Sequence, residues 1–399
     1  MYKIQLCAIV LATTVGALAA PVQFTEHLVA TDIRGGYQVV AADLNKDGKI
    51  DLIGLGSQAS ELVWFENPNW ERHVITNSAP HTINMDVADL DGDGIPEIGL
   101  TYDFSARPSQ GQGKIVILTH NGDPRGLWTS KDIDAVPTTH RVRFADIDGN
   151  GRKVLVIQPI INSKATGFPD PDRLPTPLLI YRPGTWKRET ITEENYGVVH
   201  GLLAWDWNGD RREELFTAGR LGIHSHSLGK DGKWTRTQIT KGEDKPYPDG
   251  GSSDLSPGMM NKKRFFAAIE PFHGNTVAVY QQDAKGEWRR NVIETELDHG
   301  HSIVVVDVDG DGNSEIVAGG TSGAKKLNFY KATDATGQSW QRSTLDDAMS
   351  ANSCVAADIN GDRKMDVACI DNTMPFNLKW YQFGGPADVK ALPLKTRKN

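Results

Sequence analysis

The stretch Asp43-Leu44-Asn45-Lys46-Asp47-Gly48-Lys49-Ile50-Asp51 decides the fold of this 399-residue chain. It places oxygen-bearing side chains at alternate positions before a glycine bend and closes on a further carboxylate, which is a pattern that can wrap a hard cation. The runs on either side, residues 39–42 and 50–53, are rich in β-forming apolar residues. The stretch therefore predicts a cation-binding turn of a β-hairpin rather than a helix-flanked calcium loop.

Further copies of this acidic hairpin follow along the chain. A partial copy at residues 146–150 has Val154 where the last carboxylate would stand. Together with the first, the near-complete copies comprise Asp43, Asn45, Asp47 and Asp51; Asp89, Asp91, Asp93 and Glu97; Asp206, Asn208, Asp210 and Glu214; Asp307, Asp309, Asp311 and Glu315; and Asp358, Asn360, Asp362 and Asp366.

The repetition of the acidic hairpins indicates a structural role, because a catalytic site is not built five times over. Carboxylates held this close repel one another unless a cation neutralises them, so bound Ca²⁺ should contribute to folding. We expect Ca²⁺ in the hairpins that begin at Asp43, Asp89 and Asp307. We expect weaker occupancy at Asp206 and Asp358.

A second repeat gives the number of units. An aromatic residue, a few polar residues and an aliphatic residue recur at Phe24, Trp70, Trp128, Trp186, Trp234, Trp288 and Trp340. An alternating strand precedes each copy but the first, and a seventh such strand, residues 378–382, has no copy after it. Seven units of ~50 residues with four strands each are typical of a β-propeller.

The predicted fold class is therefore all-β. We expect a seven-bladed β-propeller with four antiparallel strands per blade, closed by the N-terminal outer strand in the last blade. A solenoid is the alternative, but an orphan strand at each end of the chain favours a closed ring.

The N-terminus resembles a secretory signal, with Lys3, an apolar run over residues 8–15 and an Ala-x-Ala pattern within residues 17–20. We predict a signal peptide at 1–20, a propeller at 21–385 and a C-terminal tail at 386–399, in a secreted, extracellular monomer. No other segment is apolar enough to cross a membrane. The net charge of −8 disfavours a nucleic-acid partner. Cys354 and Cys369 flank the last acidic hairpin, as a disulfide or as two packed thiols.

The acidic loops in β-rich repeats resemble those of FG-GAP/VCBS-repeat β-propellers, a scaffold that many unrelated functions share. A narrower resemblance is to the propeller domain of fungal aldos-2-ulose (1,5-anhydrofructose) dehydratases. It rests on the segments 140–149, 199–202, 269–275 and 298–301. This resemblance implies a stand-alone relative of sugar dehydratases that carry further domains after the propeller.

Histidines recur at one position of the repeat, six residues before the first aspartate of an acidic hairpin. His140, His200 and His301 occupy it, and Tyr37 and Asn352 hold the same position in other units. His81 and His299 stand two residues further back. Identical positions in a ring converge on its axis, so these side chains should meet at the mouth opposite the acidic hairpins. A single histidine there would ordinarily be a hydrogen-bonded core residue, but several together favour a site.

Loops after each second strand should open on the same mouth. One of them, residues 158–177, is long and Pro-rich, and it is either a lid or a plain surface loop. From these loops and the histidine positions we predict catalytic residues His140, His200, Tyr102 and His81; substrate-binding residues Arg220, Glu270, His273 and Asp103; and central metal ligands His200, His299 and His301. The central ion would be a divalent metal, Zn²⁺, Mg²⁺, Mn²⁺ or Ca²⁺.

This predicted site suits β-elimination from a sugar, which needs a base, a cation or donor for the enolate oxygen, and an acid. We therefore expect a carbon–oxygen lyase acting on a keto-sugar or a uronic-acid-containing saccharide. The alternative is a lectin on a calcium-stabilised FG-GAP propeller, which would bind carbohydrate in similar pockets between blades. Motifs of serine hydrolases, dinucleotide-binding enzymes and phosphate loops are absent from the sequence.

Overall fold

The computed structural model describes residues 23–384 and two short strands at 391–393 and 395–396. The predicted signal peptide lies outside the described residues, as does most of the predicted C-terminal tail. Every regular element in the described part of the chain is a β-strand. No helix that could cross a membrane was found among these residues.

The strands form seven antiparallel sheets, which are the blades of a propeller. The outer strand β1 (Gln23–Ala30) comes first. Blade 1 contains β2 (Gly36–Ala42), β3 (Asp51–Gly56), β4 (Leu62–Glu66) and β5 (Glu71–Thr76); blade 2 contains β6 (Asn84–Ala88), β7 (Glu97–Tyr102), β8 (Lys114–Thr119) and β9 (Thr129–Ala135); blade 3 contains β10 (Thr139–Ala145), β11 (Val154–Pro159), β12 (Pro175–Tyr181) and β13 (Arg188–Tyr196).

The remaining blades follow the same order. Blade 4 contains β14 (Val199–Trp205), β15 (Glu214–Gly219), β16 (Gly222–Leu228) and β17 (Trp234–Thr240); blade 5 contains β18 (Asp254–Met260), β19 (Lys263–Glu270), β20 (Thr276–Gln282) and β21 (Trp288–Glu294); blade 6 contains β22 (Gly300–Val306), β23 (Glu315–Gly320), β24 (Leu327–Ala332) and β25 (Trp340–Asp346); blade 7 contains β26 (Ala351–Ala357), β27 (Asp366–Asp371) and β28 (Leu378–Phe383).

The N-terminal strand closes the ring, as predicted. Strand β1 pairs antiparallel with β28, with Phe24 opposite Phe383 and His27 opposite Trp380. Two further strands add to outer edges: β29 (Ala391–Pro393) pairs with β1, and β30 (Lys395–Thr396) pairs with β25. The predicted seven-bladed propeller with four antiparallel strands per blade is thus confirmed.

The apolar core lies between neighbouring blades. The second strands β3, β11, β15, β23 and β27 are buried at every residue. A strand covered on both faces loses its alternation of polar and apolar residues, as the run Leu52-Ile53-Gly54-Leu55 shows. The outermost strands β9 and β13 are mostly exposed, which leaves their faces polar.

Buried tyrosines also connect adjacent blades. The hydroxyl of Tyr181 on β12 donates to Asp134 at the outer strand of the preceding blade, 2.7 Å away. Asp134 is also paired with Arg188 at 2.7 Å. The same combination of tyrosine, carboxylate and cation recurs with Tyr330, Glu294 and Arg342, and with Tyr381, Asp346 and Lys379. Each carboxylate satisfies a buried hydroxyl while a cation balances its charge.

The turns between first and second strands lie at the end of the ring opposite the entry of the innermost strands. In six blades this turn is an acidic hairpin. Blade 5, which lacks the motif, instead has a two-residue turn at Asn261 and Lys262 with φ of 48° and 62°, which is typical of a tight hairpin. In blade 7 the hairpin is flanked by a disulfide between Cys354 and Cys369, which are direct partners across β26 and β27 with Cα atoms 4.1 Å apart.

Phe24 tests the closure of the ring. Its ring is buried and contacts Phe329 and Phe383 at 5.4 and 5.7 Å between centroids. Phe24→Ala should lower the free energy of unfolding by about 3–5 kcal/mol, because it leaves a cavity at the seam. Leu28→Ala, on the same strand but 55% exposed, is the matched control and should change it little. Equal effects of the two substitutions in chemical denaturation would contradict closure through β1.

Candidate active site on the propeller axis

A β-bulge occurs at the same place in five innermost strands. In each, one residue near the start of the strand is skipped by the pairing register, which locally kinks the strand and re-aims that side chain. The skipped residues are Tyr37, His140, His200, His301 and Asn352. These are the residues found at the shared sequence position. The bulge is the physical reason that their side chains meet at the axis.

Four imidazoles form the centre of the site. The ring of His200 lies 4.8 Å from His140, 5.0 Å from His273 and 5.0 Å from His301, measured between centroids. His140, His200 and His301 come from innermost strands and are 2%, 1% and 4% exposed. His273 comes from the loop after β19 and is half-buried. We call this group the histidine cluster.

Backbone carbonyls orient two of the imidazoles. Nδ1 of His200 donates to the carbonyl of Ser253 at 3.2 Å, and Nδ1 of His301 donates to the carbonyl of Asn352 at 2.6 Å. Because Nδ1 carries the proton in both, Nε2 keeps its lone pair. Such carbonyl contacts fix the tautomer of metal-binding histidines.

The spacing of the free nitrogens suits a metal ion. Nε2 of His200 and Nε2 of His273 are 3.4 Å apart. One nitrogen each of His200, His273 and His301 lies within 4.8 Å of the others. Tetrahedral Zn–N bonds of about 2.0–2.1 Å place two ligand nitrogens roughly 3.3 Å apart. The three residues therefore fit a divalent transition metal.

The histidines are held in the neutral form. Burial, followed by neighbouring positive charges that include Arg141, lowers the pKa of His140, His200 and His301 well below 6.5. Burial also lowers the pKa of His273 to about 4. Neutral imidazoles can bind a metal or accept a proton.

A buried arginine lies against the cluster. The guanidinium of Arg141 is 3.3 Å from Nε2 of His200 and 3.5 Å from the carboxylate of Asp254. Its Nε is buried, with no hydrogen-bond partner in the described part of the chain. A metal on His200 would lie close to this cation, and Asp254 supplies part of the negative charge that the combination requires. Arg141 is also a ready donor for an oxyanion.

Tyr37 and His140 form a pair beside the other imidazoles. The Tyr37 hydroxyl is 2.8 Å from Nε2 of His140. Burial raises the pKa of Tyr37, so its hydroxyl stays protonated. Nδ1 of His140 is buried, and none of the residues that the structure describes hydrogen-bonds it. The pair can pass a proton from one group to the other.

Aromatic side chains cap the cluster. Phe104 lies 5.5 Å from His140 and Phe272 lies 5.3 Å from His200, between ring centroids. Both pack with an apolar group from the connection between β11 and β12, which includes Ile160 and Ile161. The long insertion is therefore packed over the site, as a lid would be.

The structure does not bring the other predicted mouth residues into the histidine cluster. His81, Asp103 and His299 have φ of 53°, 52° and 45°, a left-handed conformation that turns the chain before or after a strand. His81 is exposed. His299 is exposed and bonds Asp298 at 2.7 Å, and Asp103 accepts the backbone N–H of Gln112. Counting residues places these side chains near the mouth, but the structure leaves His81 and His299 exposed and bonds Asp103 to its own loop.

Three more predicted residues have other surroundings. Tyr102 packs against the apolar core between blades 1 and 2. Glu270 is fully buried, and its carboxylate binds Tyr280 and Arg290 rather than the histidines. Arg220 lies over the ring of Phe272 at 5.3 Å, so it borders the cluster without entering it.

The cluster also contains residues that we did not assign to the site from the sequence. Tyr37 occupies the shared position and could have been found by the same count as His140. Arg141, Asp254, Phe104 and Phe272 carry no such signal, because their contacts arise only when the blades come together.

Backbone N–H groups of the acidic hairpins hydrogen-bond the carboxylates of the same hairpins. In the five near-complete copies the last carboxylate is buried and accepts the N–H of the residue seven positions earlier, as Glu97 does from Leu90 at 2.7 Å. Burial raises the pKa of Asp51 and Asp366 to about 6 and that of Glu315 to about 7. A charged, desolvated carboxylate is costly unless a cation is near.

Two hairpins bring three carboxylates together. Asp89, Asp91 and Glu97 lie within 4.8 Å of one another, and Oε1 of Glu97 is buried without a partner. This set fits Ca²⁺. Asp307, Asp309 and Asp311 also converge, but the ammonium of Lys331 contacts Asp309 and lies 3.4 Å from Glu315, so a cation is already present there.

The partial copy forms two ion pairs, one at its own Asp148 and one to Glu213 of the neighbouring hairpin. Arg182 pairs with Asp148 at 2.8 Å, and Lys153 pairs with Glu213 at 2.8 Å.

Removal of Ca²⁺ should lower the melting temperature, because a ligand that binds only the folded state stabilises it. In a calorimetric or fluorescence melt, excess chelator should shift the wild type downward. Glu97→Gln should reduce that shift, since it removes a buried oxygen charge from the best-formed set. Asp123→Asn, at an exposed carboxylate outside the hairpins, should keep the full shift. A chelator-insensitive wild type would mean that the backbone contacts alone stabilise the hairpins.

Comparison with known proteins agrees with the resemblances noted in the sequence. Residues 112–283 match the family described as aldos-2-ulose dehydratase, beta-propeller domain, and residues 43–100 and 307–369 match the FG-GAP-like repeat. The chain is 24% identical over 405 aligned positions to aldos-2-ulose dehydratase from Phanerodontia chrysosporium. The match covers 88% of this chain but 44% of the relative, so this chain spans less than half of that protein's length.

Solved structures share the architecture. Virginiamycin B lyase from Staphylococcus aureus superposes with a TM-score of 0.57 at 14% identity, covering 90% of this chain and 99% of the lyase. BBS1N, from its complex with ARL6DN, gives 0.56 at 12% identity, covering 93% of this chain and 100% of BBS1N. At these identities the likeness shows the fold alone. The chain is a β-propeller with FG-GAP-like repeats and a distant relationship to a carbohydrate-related dehydratase.

Proposed function

We propose that this protein is a carbon–oxygen lyase that catalyses β-elimination on a saccharide with an acidic proton next to a carbonyl or carboxylate group. The observation that carries the proposal is the histidine cluster. Four neutral imidazoles, with Arg141 and Tyr37, lie together at one end of a propeller axis. The distant dehydratase relative supports the same reaction class, since dehydration of a sugar is an elimination of water.

The His140–Tyr37 pair supplies the base and the acid. With its proton on Nε2, His140 donates to the Tyr37 oxygen, and the unpartnered Nδ1 can take the proton next to the carbonyl. The C–H electron pair then forms the double bond and the bond to the β-oxygen breaks. That oxygen takes the hydroxyl proton of Tyr37, which His140 restores through Nε2. The pair thus returns to its starting charge with the His140 proton on Nδ1, and exchange of protons with solvent restores the Nε2–H tautomer before the next turnover.

Negative charge that develops on the carbonyl oxygen needs a positive partner. Arg141 can donate to it, and Asp254 keeps the arginine in place. A divalent metal held by His200, His273 and His301 would add Lewis-acid stabilisation of the same charge. Imidazole ligands favour Zn²⁺ among the ions that we considered from the sequence.

The aromatic cap controls access to the cluster. Because His140 and His200 are almost fully buried, a sugar can reach them only when Phe104, Phe272 and the insertion move apart. Closure afterwards would exclude water, which strengthens electrostatic contacts within the site.

Secretion and structural Ca²⁺ belong to the same proposal. The disulfide between Cys354 and Cys369 supports an oxidising compartment. The convergent carboxylates of Asp89, Asp91 and Glu97 support a Ca²⁺ ion that holds the ring rather than one that takes part in the reaction.

Substitutions within the cluster test the function. Elimination products are conjugated, so turnover of keto-sugars and uronides can be followed by new ultraviolet absorbance. Tyr37→Phe and His140→Ala should each lower kcat by about 10²–10⁴-fold, because they remove the acid or the base. The melting temperature should change little for Tyr37→Phe, which retains the ring. His27→Ala, on the outermost strand, is the control and should keep wild-type kcat.

Substitution of His200 distinguishes a metal ligand from an acid or a base. His200→Ala should lower both turnover and the content of bound transition metal. Full activity of His140→Ala or Tyr37→Phe on a substrate that the wild type eliminates would refute the assignment. Lectin-like binding of sugars would then be the better account of the site.

A further inference from the structure

A cavity of about 580 Å³ lies beside the histidine cluster. Two of the chain's long connections border it, residues 160–174 between β11 and β12 and residues 241–253 between β17 and β18. Tyr247 joins them, because its hydroxyl donates to the carbonyl of Asp170 at 2.7 Å. Long loops that pack against each other around a cavity commonly form binding sites. We call it the arginine cavity, after the residues Arg173, Arg220 and Arg236 in its wall.

None of these three arginines forms an ion pair with a carboxylate in the described part of the chain, and two of them lie against an aromatic ring. The guanidinium groups of Arg173 and Arg220 lie 4.5 and 5.7 Å from the ring centroid of Tyr247. No described residue hydrogen-bonds the buried Nε of Arg220. Asp249 influences Arg220 through its charge but forms no ion pair with it. Both guanidinium groups therefore keep donors available for an anion.

The remaining charges leave the cavity positive. Its wall carries five arginine and lysine side chains but three carboxylates. One of the carboxylates, Glu243, is already engaged by Arg290 at 3.3 Å and Lys245 at 3.7 Å. Arg236 bonds the neutral Asn195 at 3.2 Å. A positive cavity in a chain of net charge −8 is not explained by overall composition.

One aromatic ring separates the cavity from the histidine cluster. Arg220 lies over one ring, Phe272, which in turn stacks on His273 at 4.2 Å. A ligand in the cavity would therefore extend to the imidazoles once Phe272 moves aside with the rest of the cap.

We infer that the arginine cavity binds the anionic group of a sugar unit next to the one that reacts, so that the substrate is an acidic oligosaccharide. The inference rests on the proposed elimination reaction at the histidine cluster and narrows its substrate class. A carboxylate of a uronic acid and a sulfate ester share the chemistry that a guanidinium fork recognises, with two parallel N–H···O bonds.

Binding measurements with three probes test the cavity. The probes are tetragalacturonate, its fully methyl-esterified form and a sulfated galactose tetrasaccharide that lacks carboxylates. Calorimetric titrations use the His140→Ala protein, so that no probe is consumed. Tetragalacturonate or the sulfated probe should bind at least about tenfold more tightly than the neutral ester, because charge-assisted hydrogen bonds are lost in the ester. The affinity should fall as the salt concentration rises.

Charge-removing variants then locate the contact. Arg173→Gln with Arg220→Gln should remove most of the preference for the charged probe, whereas Lys187→Gln removes an exposed charge from the opposite end and should preserve it. Equal binding of charged and neutral probes, or an unchanged preference in the double variant, would overturn the inference. A preference for the sulfated probe identifies sulfate as the anion, and a preference for tetragalacturonate identifies the carboxylate.

The two proposals can fail separately, because the cavity is tested by binding and the histidine cluster by turnover. If acidic probes bind through Arg173 and Arg220 while His140→Ala keeps full elimination activity, the inference about the cavity stands and the proposed reaction is refuted. If elimination depends on His140 but charged substrates are not preferred, the proposed reaction stands and the inference about the arginine cavity is refuted.

Discussion

The pairing of β1 with β28 is the constraint on which the rest of the structure depends. It joins the first described strand to the last blade and converts seven similar sheets into a ring. Only in a closed ring do all innermost strands face one axis. Phe24 reinforces the seam by packing between Phe329 and Phe383. Residues that lie far apart in sequence, such as Tyr37 and His301, meet because of this closure.

The two ends of the innermost strands have different roles, with a repeated hairpin at one end and a repeated bulge at the other. At one end, the carboxylates of the acidic hairpin accept hydrogen bonds from backbone N–H groups and pair with cationic side chains such as Lys331 and Arg182. The hairpin is therefore a structural element. At the other end, in five of the seven blades, the bulge turns one side chain toward the axis, and the residue type at that position differs from blade to blade. Tyr37, His140, His200, His301 and Asn352 therefore form one asymmetric site on a nearly symmetric scaffold. That asymmetry suits a single reaction centre more than a set of equivalent lectin pockets.

The fold could be predicted from the sequence because its signals are periodic and local: an acidic turn, an alternating strand and an aromatic residue in each unit. The positions of His140, His200 and His301 followed from the same period. The same count did not hold for His81 and His299, which lie outside the bulged position and remain exposed. Glu270 was predicted to bind substrate, but its carboxylate instead binds Tyr280 and Arg290, which lie on later strands of the same blade. Arg141, Asp254 and the arginine cavity depend on contacts between blades and loops, which no local pattern encodes.

We propose above all that closure of the ring assembles a histidine cluster that binds a divalent metal, separate from the acidic hairpins. X-ray absorption at the zinc edge tests it most directly, on protein loaded with one equivalent of Zn²⁺ in the presence of excess Ca²⁺. The account predicts about three imidazole nitrogens at roughly 2.0–2.1 Å, and loss of this signal in the His301→Ala protein. A first shell of oxygen atoms alone, unchanged by that substitution, would place the metal in the hairpins and contradict the account.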